Sequence, residues 1–210
     1  GRIPADEFIE AAESEGLIAR LGRCQLASVC RFASEHAAEL SACGITSIKI
    51  NLSPIELMET GFAADAIETM RRWNVDPSLF QFEITETAST RYGKEMEKAI
   101  MALCSAGSKL CMDDFGSGFA NLDSVLALPF KVLKIDKTLL DNAVEDESAA
   151  ALYRSVVEMI GKQGLSTVAE GVETAEQDRL IRSLGIDEAQ GYFYAKPMPI
   201  EDIFATIQES

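Results

Sequence analysis

One histidine in 210 residues, and five cysteines without a C-x-x-C spacing, leave this chain little nitrogen or sulfur chemistry for a metal ion. That scarcity argues against a Cys/His zinc site, which needs several such ligands at short spacings. Cys24, Cys30, Cys43, Cys104 and Cys111 read instead as reduced, partly buried thiols. Positive charge is scarce too: 19 basic residues face 34 acidic ones, a net charge of −15. Such a balance argues against a nucleic-acid polymer held by a general basic field. A phosphate-bearing small ligand would need cations, or a few local Lys and Arg, to offset the carboxylates. No run approaches the ~18 apolar residues of a membrane span, and no signal peptide opens the chain. The expectation is a soluble, cytoplasmic domain whose parent protein is free to be membrane-tethered. Also missing are a G-x-x-x-x-G-K-[ST] phosphate loop and a G-x-S-x-G elbow. Asp114-Phe115-Gly116 matches the metal-binding tripeptide of protein kinases, but the H-R-D and glycine-rich loops that would make it one are absent.

What is present is a set of five apolar runs, each ending in a polar residue able to bind a divalent cation or move a proton. Ile48–Ile50 lead to Asn51, Phe80–Phe82 to Glu83 and Leu110–Met112 to Asp113-Asp114; Val132-Leu133 lead to Lys134 and Thr167–Ala169 to Glu170. Strands are expected at Ser47–Leu52, Phe80–Thr85, Lys109–Asp113, Lys131–Ile135, Ser166–Glu170 and Glu188–Tyr194. Gly1–Phe8 reads as a loop entering a helix, and a second helical stretch covers Cys24–Leu40, with Gly44 ending the region. Further helices are expected at Ala63–Trp73, Lys94–Ser105, Ala120–Ala127, Ala149–Gln163, Ala175–Leu184 and Ile200–Ile207, with Asp141–Glu147 as an acidic connection. This alternation predicts an α/β fold, a TIM-like (β/α) barrel with its catalytic groups at the C-terminal ends of the strands. A closed barrel needs eight strands and typically ~250 residues, so two strands are expected to precede Gly1.

The carboxylates set the chemistry. Alternation would send the neighbours Asp113 and Asp114 to opposite faces unless the strand bends or ends there. A strand ending at Asp113 would let both project at the barrel mouth. With Glu83 and Asn51 they make an all-oxygen donor set suited to Mg²⁺ or Mn²⁺. Two such ions about 3.5–4 Å apart can activate water and clamp a phosphoryl group. Glu170 is then a metal ligand or a general base, and Lys134 orients water or neutralises developing charge. Taken singly, each residue has an ordinary explanation. An Asp-Asp pair suits a solvated turn, a strand-end lysine snorkels, and Glu83, Glu86, Glu170 and Glu173 could favour helix N-termini. Their recurrence at successive strand ends is the argument for a site.

Six segments carry a resemblance: Asn51-Leu52-Ser53-Pro54, Glu83-Ile84-Thr85-Glu86, Asp113-Asp114-Phe115-Gly116-Ser117-Gly118, Lys134-Ile135-Asp136, Glu170-Gly171-Val172-Glu173-Thr174 and Gln190-Gly191-Tyr192. In type and order they resemble the EAL-domain cyclic di-GMP phosphodiesterases, bacterial enzymes that open the cyclic dinucleotide to linear pGpG. The resemblance implies a modified TIM barrel with an antiparallel first strand. It implies that Asn51, Glu83 and Asp113 bind one metal, with Asp113 shared with a second that Asp114 and Glu170 serve. Glu170 would also be the base, and Lys134 would hold the nucleophilic water. Glu86 would steady the loop Phe115–Leu122, which couples the site to dimer contacts, and Glu173 and Gln190 would lie on the substrate side or behind the ligands. A homodimer and an attached sensory or cyclase domain are implied as well. The Glu-Ala-Leu signature, whose Glu is a metal ligand in the family, is absent from the 210 residues. The whole chain is therefore expected to be an N-terminally incomplete EAL domain, with a cyclic di-GMP receptor lacking hydrolysis as the alternative. Ser117, commonly Thr in the family, and Ala120-Asn121, often two Ser, are smaller departures.

Overall fold

A computed structural model describes residues 5–89, 93–118 and 122–208. These fall into two compact units, one running to Ile84 and resuming up to Lys109, the other comprising the segment from Thr85 and the chain from Leu110 onward.

The first unit opens with helices α1 (Ala5–Ser14), α2 (Ile18–Glu35) and α3 (Ala37–Ala42), followed by strand β1 (Ile48–Asn51). Helices α4 (Pro54–Met58) and α5 (Phe62–Arg72) lead through a 3₁₀ turn to strand β2 (Phe80–Thr85). After the short helix α6 (Glu86–Ser89), whose residues belong to the second unit, α7 (Lys94–Ser105) returns to the first. Strand β1 pairs with β2 in parallel, Ile48 opposite Phe80 and Asn51 opposite Glu83. Helix α4 was not anticipated, yet Ser53-Pro54-Ile55-Glu56 writes its start. Ser53 caps, Pro54 takes the first turn, and Glu56 closes a capping box on the Ser53 amide. The single helix expected over Cys24–Leu40 is instead two, meeting at His36, which leaves helical geometry at φ −117°. Along β2 the expected alternation is absent: the first five residues are all buried, Gln81 and Glu83 included, as in a parallel strand covered on both faces.

In the second unit β3 (Lys109–Phe115, all but its first residue here), β4 (Phe130–Ile135), β5 (Ser166–Ala169) and β6 (Glu188–Ala189) run parallel in that order. Helices α8 (Leu122–Ala127), α9 (Lys137–Glu145), α10 (Glu147–Lys162), α11 (Ala175–Leu184) and α12 (Ile203–Gln208) complete it. Cys111, Val132 and Val168 form one buried cluster across three adjacent strands. The supposed acidic connection at Asp141–Glu147 is a correction, because helix runs almost throughout it. Asp136 caps α9 and Asp146 caps α10, while Leu140 and Ala143 turn a buried face inward. The expected strand Glu188–Tyr194 shrinks to two residues, because the chain turns at Gly191, where a Cβ would collide with the Val172 main chain. The final helix begins with a 3₁₀ turn at Ile200–Asp202. Gly1–Pro4 and residues 119–121, on which the opening loop and part of the Phe115–Leu122 loop were read, lie outside the described residues. No helix among those described is long and apolar enough to cross a membrane.

Candidate active site

The register of the second unit brings three strand ends together. Strand β3 does not end at Asp113 as expected. It continues to Phe115, which is buried and pairs with Ile135, while the ladder slips between Met112 and Phe115. Asp114 occupies the slip at φ +57°, a left-handed conformation that aspartate tolerates better than most residues. This bulge re-aims the chain, so consecutive carboxylates face one place. Oxygens of Asp113, Asp114 and Glu170 all lie within 4.8 Å of one another.

Lys134, near the end of β4, lies between them. Its Nζ is 2.6 Å from Asp113 Oδ1 and 2.7 Å from Glu170 Oε1, and its side chain is only 4% exposed. Two carboxylates at this distance compensate an ammonium that burial has stripped of water. The Glu170 N–H donates to the Ile135 carbonyl, extending the sheet's hydrogen bonding just past β5. Burial pushes the Glu170 carboxyl upward in pKa, Lys134 opposes the rise, and Asp113 and Asp114 add to it. Asp114 also lies above the usual carboxylate range, through burial first and then the charges of Asp113 and Asp136. Three converging carboxylates against one ammonium leave negative charge uncompensated, and hard oxygen donors in that state fit a divalent cation such as Mg²⁺ or Mn²⁺.

Glu86 is buried, and its Oε2 accepts the Gly116 N–H at 3.0 Å, tying the start of the loop after β3. The Gln190 N–H donates to Ala169 and its carbonyl accepts from Val172, while its side chain is exposed. Glu173 is also exposed and pairs with Lys137. Asn51 and Glu83 belong to the first unit, where they are register partners, Asn51 exposed at the end of β1 and Glu83 buried two residues before the end of β2. The main chain locks them, since the Leu52 N–H donates to the Glu83 carbonyl at 2.8 Å.

Residues 1–197 match the EAL domain family. The chain belongs to the EAL-domain family. Among its EAL relatives, the Oxygen sensor protein DosP of Escherichia coli (strain K12) is 32% identical over 97% of this chain and 25% of its own length. The bifunctional diguanylate cyclase/cyclic di-GMP phosphodiesterase MucR of Pseudomonas aeruginosa is 29% identical over 99% of this chain and 30% of its own. The solved structure of the PaMucR phosphodiesterase in complex with c-di-GMP superposes with a TM-score of 0.83 at 29% identity, over 96% of this chain and 81% of that one. The expected α/β, TIM-like class therefore holds as the EAL fold. The EAL chain spans less than a third of either curated relative.

Sequence reasoning passed over two residues of this EAL chain. Glu56 is 3% exposed, and its Oε1 has no hydrogen-bond partner among the described atoms, lying instead against Gly22 of α2. The S-x-x-E spacing was its signal. Lys137, directly after Lys134-Ile135-Asp136, reaches the Glu170 turn, and its only mark in the sequence was that adjacency.

Proposed function

We propose that this chain is the catalytic domain of a metal-dependent phosphodiesterase that opens cyclic di-GMP to linear pGpG in bacterial second-messenger signalling. The observation carrying this reading is the buried Lys134 held between Asp113 and Glu170 with Asp114 beside them. A protein that only binds the nucleotide has little use for two consecutive carboxylates, a buried ammonium and a carboxylate of raised proton affinity in one cluster.

Asp113, Asp114 and Glu170 would hold metal, and the family pattern adds Asn51 and Glu83 as oxygen donors for a two-ion centre of Mg²⁺ or Mn²⁺. Such ions supply Lewis-acid polarisation of the phosphoryl oxygens and offset the charge of substrate and carboxylates. Lys134 orients the attacking water and stabilises the charge that builds on the phosphoryl group. Glu170, with its raised proton affinity, accepts the water proton. The water oxygen bonds to phosphorus, one ester P–O bond breaks, and the departing sugar oxygen takes up a proton. Glu86 steadies the loop through Gly116, and Glu173 and Gln190 lie on the substrate side or behind the ligands.

MucR couples a cyclase to its phosphodiesterase and DosP senses oxygen. By the same logic this domain would work in the cytoplasm, attached to a sensory or cyclase domain and as a homodimer. Sedimentation at several concentrations tests the dimer, and an invariant monomer would exclude it.

The decisive experiment incubates the full-length protein with cyclic di-GMP and Mg²⁺ or Mn²⁺ and follows pGpG by chromatography. Metal-dependent product is expected, and Glu170→Gln is expected to lower turnover by roughly 10²–10⁴-fold while retaining nucleotide binding. Unchanged turnover in that variant would remove Glu170 from its role. Binding without product in the unaltered protein would make the domain a receptor.

A further inference from the structure

The turn carrying Glu170 is gripped from outside the cluster by a lysine that the chemistry above leaves unused. Lys137 opens α9, next to its cap Asp136. A cation at the positive end of a helix is disfavoured, so helix stability does not account for it. Its side chain instead crosses to the segment after β5, where Nζ meets Glu173 Oε1 at 2.5 Å. On the way its stem covers Gly171. A Cβ built on Gly171 would stand 2.5 Å from Lys137 Cγ and Cδ and 2.7 Å from its Cβ. Gly171 is at φ +63°, so both its conformation and the lysine above it demand glycine. The same turn is tied to α9 a second time. The Glu173 and Thr174 N–H groups donate to Gln177 Oε1, and Gln177 Nε2 donates to Asp141 at 2.6 Å. At its near end the turn is bonded to the sheet through Glu170 and Ile135.

We propose that Lys137 is a positioning residue for the reaction: its stem on Gly171 and its ammonium on Glu173 fix the Glu170–Glu173 turn, and so hold the Glu170 carboxylate where Lys134 and a metal ion meet it. The inference rests on the phosphodiesterase reading for its effect on rate, and on the carboxylate cluster alone for its effect on metal affinity. Supporting groups behind a metal ligand typically contribute 10–100-fold in affinity or activity.

The test uses the full-length protein and Lys137→Ala, Lys137→Met, Lys137→Glu, Glu173→Lys and the reversed pair K137E/E173K. The readouts are free Mn²⁺ by electron paramagnetic resonance, kcat and KM for cyclic di-GMP, and Tm. Lys137→Ala is expected to lower kcat and weaken Mn²⁺ binding about tenfold each, with KM within about twofold. Lys137→Met, which keeps the stem, should lose less. Each single reversal should lose at least as much as the alanine variant, and the reversed pair, read on Mn²⁺ affinity alone, should return to within about threefold of the unaltered protein. Unchanged kcat and Mn²⁺ affinity in Lys137→Ala would overturn the proposal. So would losses of Mn²⁺ affinity that track Tm alone and that the reversed pair does not restore. Should the unaltered protein bind Mn²⁺ yet release no linear product, the phosphodiesterase reading fails. The Mn²⁺ series then decides the positioning role alone, and unchanged affinity overturns it.

Discussion

Glu56 shows how one side chain can serve local structure at a cost set by its surroundings. Its Oε2 accepts the Ser53 N–H at 2.9 Å and so closes the cap of α4, which directly follows Asn51-Leu52. Its other oxygen is buried against Gly22 with no donor among the described atoms. Burial pushes its pKa up, against the pull of the Ser53 amide and Arg23, while Glu13 and Glu59 push the same way as burial. A carboxyl whose folded pKa exceeds its unfolded value contributes stability at low pH and loses it as pH rises through the folded value. Glu56→Gln keeps the cap, since glutamine serves at that position, and removes the buried charge. We expect that variant to gain about 1 kcal/mol near pH 7–8, or roughly 2–4 °C in Tm, with the gain shrinking as pH falls through the raised folded pKa and gone below about pH 4.5. A thermal melt series across pH checks it, and a gain that grew on acidification would reverse the argument. Asp114 teaches a related point. Its place among strand-end carboxylates was legible, whereas its φ of +57° was not. Nothing in two consecutive aspartates distinguishes a strand that stops from one that bulges and rejoins its partner at Phe115.

At the scale of elements, start signals carried more information than hydrophobic content. Helix α11 has the bounds expected for it, and the structure shows why its ends are locally defined: Thr174 and Gln177 form a capping box and Gly185 ends it in left-handed geometry. Helix α9 takes in Asp141–Glu145 of the expected acidic connection, and Leu140 and Ala143 give it a buried face among those acids. Asp136 at its cap was the overlooked sign. Caps therefore make a direct test. Thr174→Ala should cost about 1 kcal/mol by removing the oxygen that accepts the Gln177 N–H. Ser155→Ala, deleting an exposed hydroxyl that only bonds back to Ala151 within α10, should stay within about 0.5 kcal/mol. Urea unfolding of both variants makes the comparison, and equal costs would mean that the cap contributes nothing. Strand β6 marks a limit of this kind of reading. Its sequence continues in strand-like residues, but the turn at Gly191 answers to the nearby Val172 backbone, a long-range fact.

For the molecule as a whole, net charge is the term that salt can move. A net charge of −15 repels itself most in the compact state and is screened over about 10 Å at 0.1 M salt. Raising NaCl from about 0.01 M to about 0.3 M should therefore raise the Tm of the metal-free protein, since the Debye length shrinks severalfold over that range. A Tm that falls with salt would mean that local ion pairs outweigh the net repulsion. The amino-acid sequence by itself determined the order of the strands, most of the helices between them, the polar residues at the strand ends and the family. All of these depend on local periodicity, capping patterns and short motifs, which adjacent residues specify among themselves. Only the tertiary structure decided that Asp113 and Asp114 converge on Glu170 around a buried Lys134, that β2 is buried along five of its residues, and that Lys137 grips the Gly171 turn. Those outcomes depend on strand register and on the close approach of segments far apart in the chain, where a slip of one residue redirects every side chain.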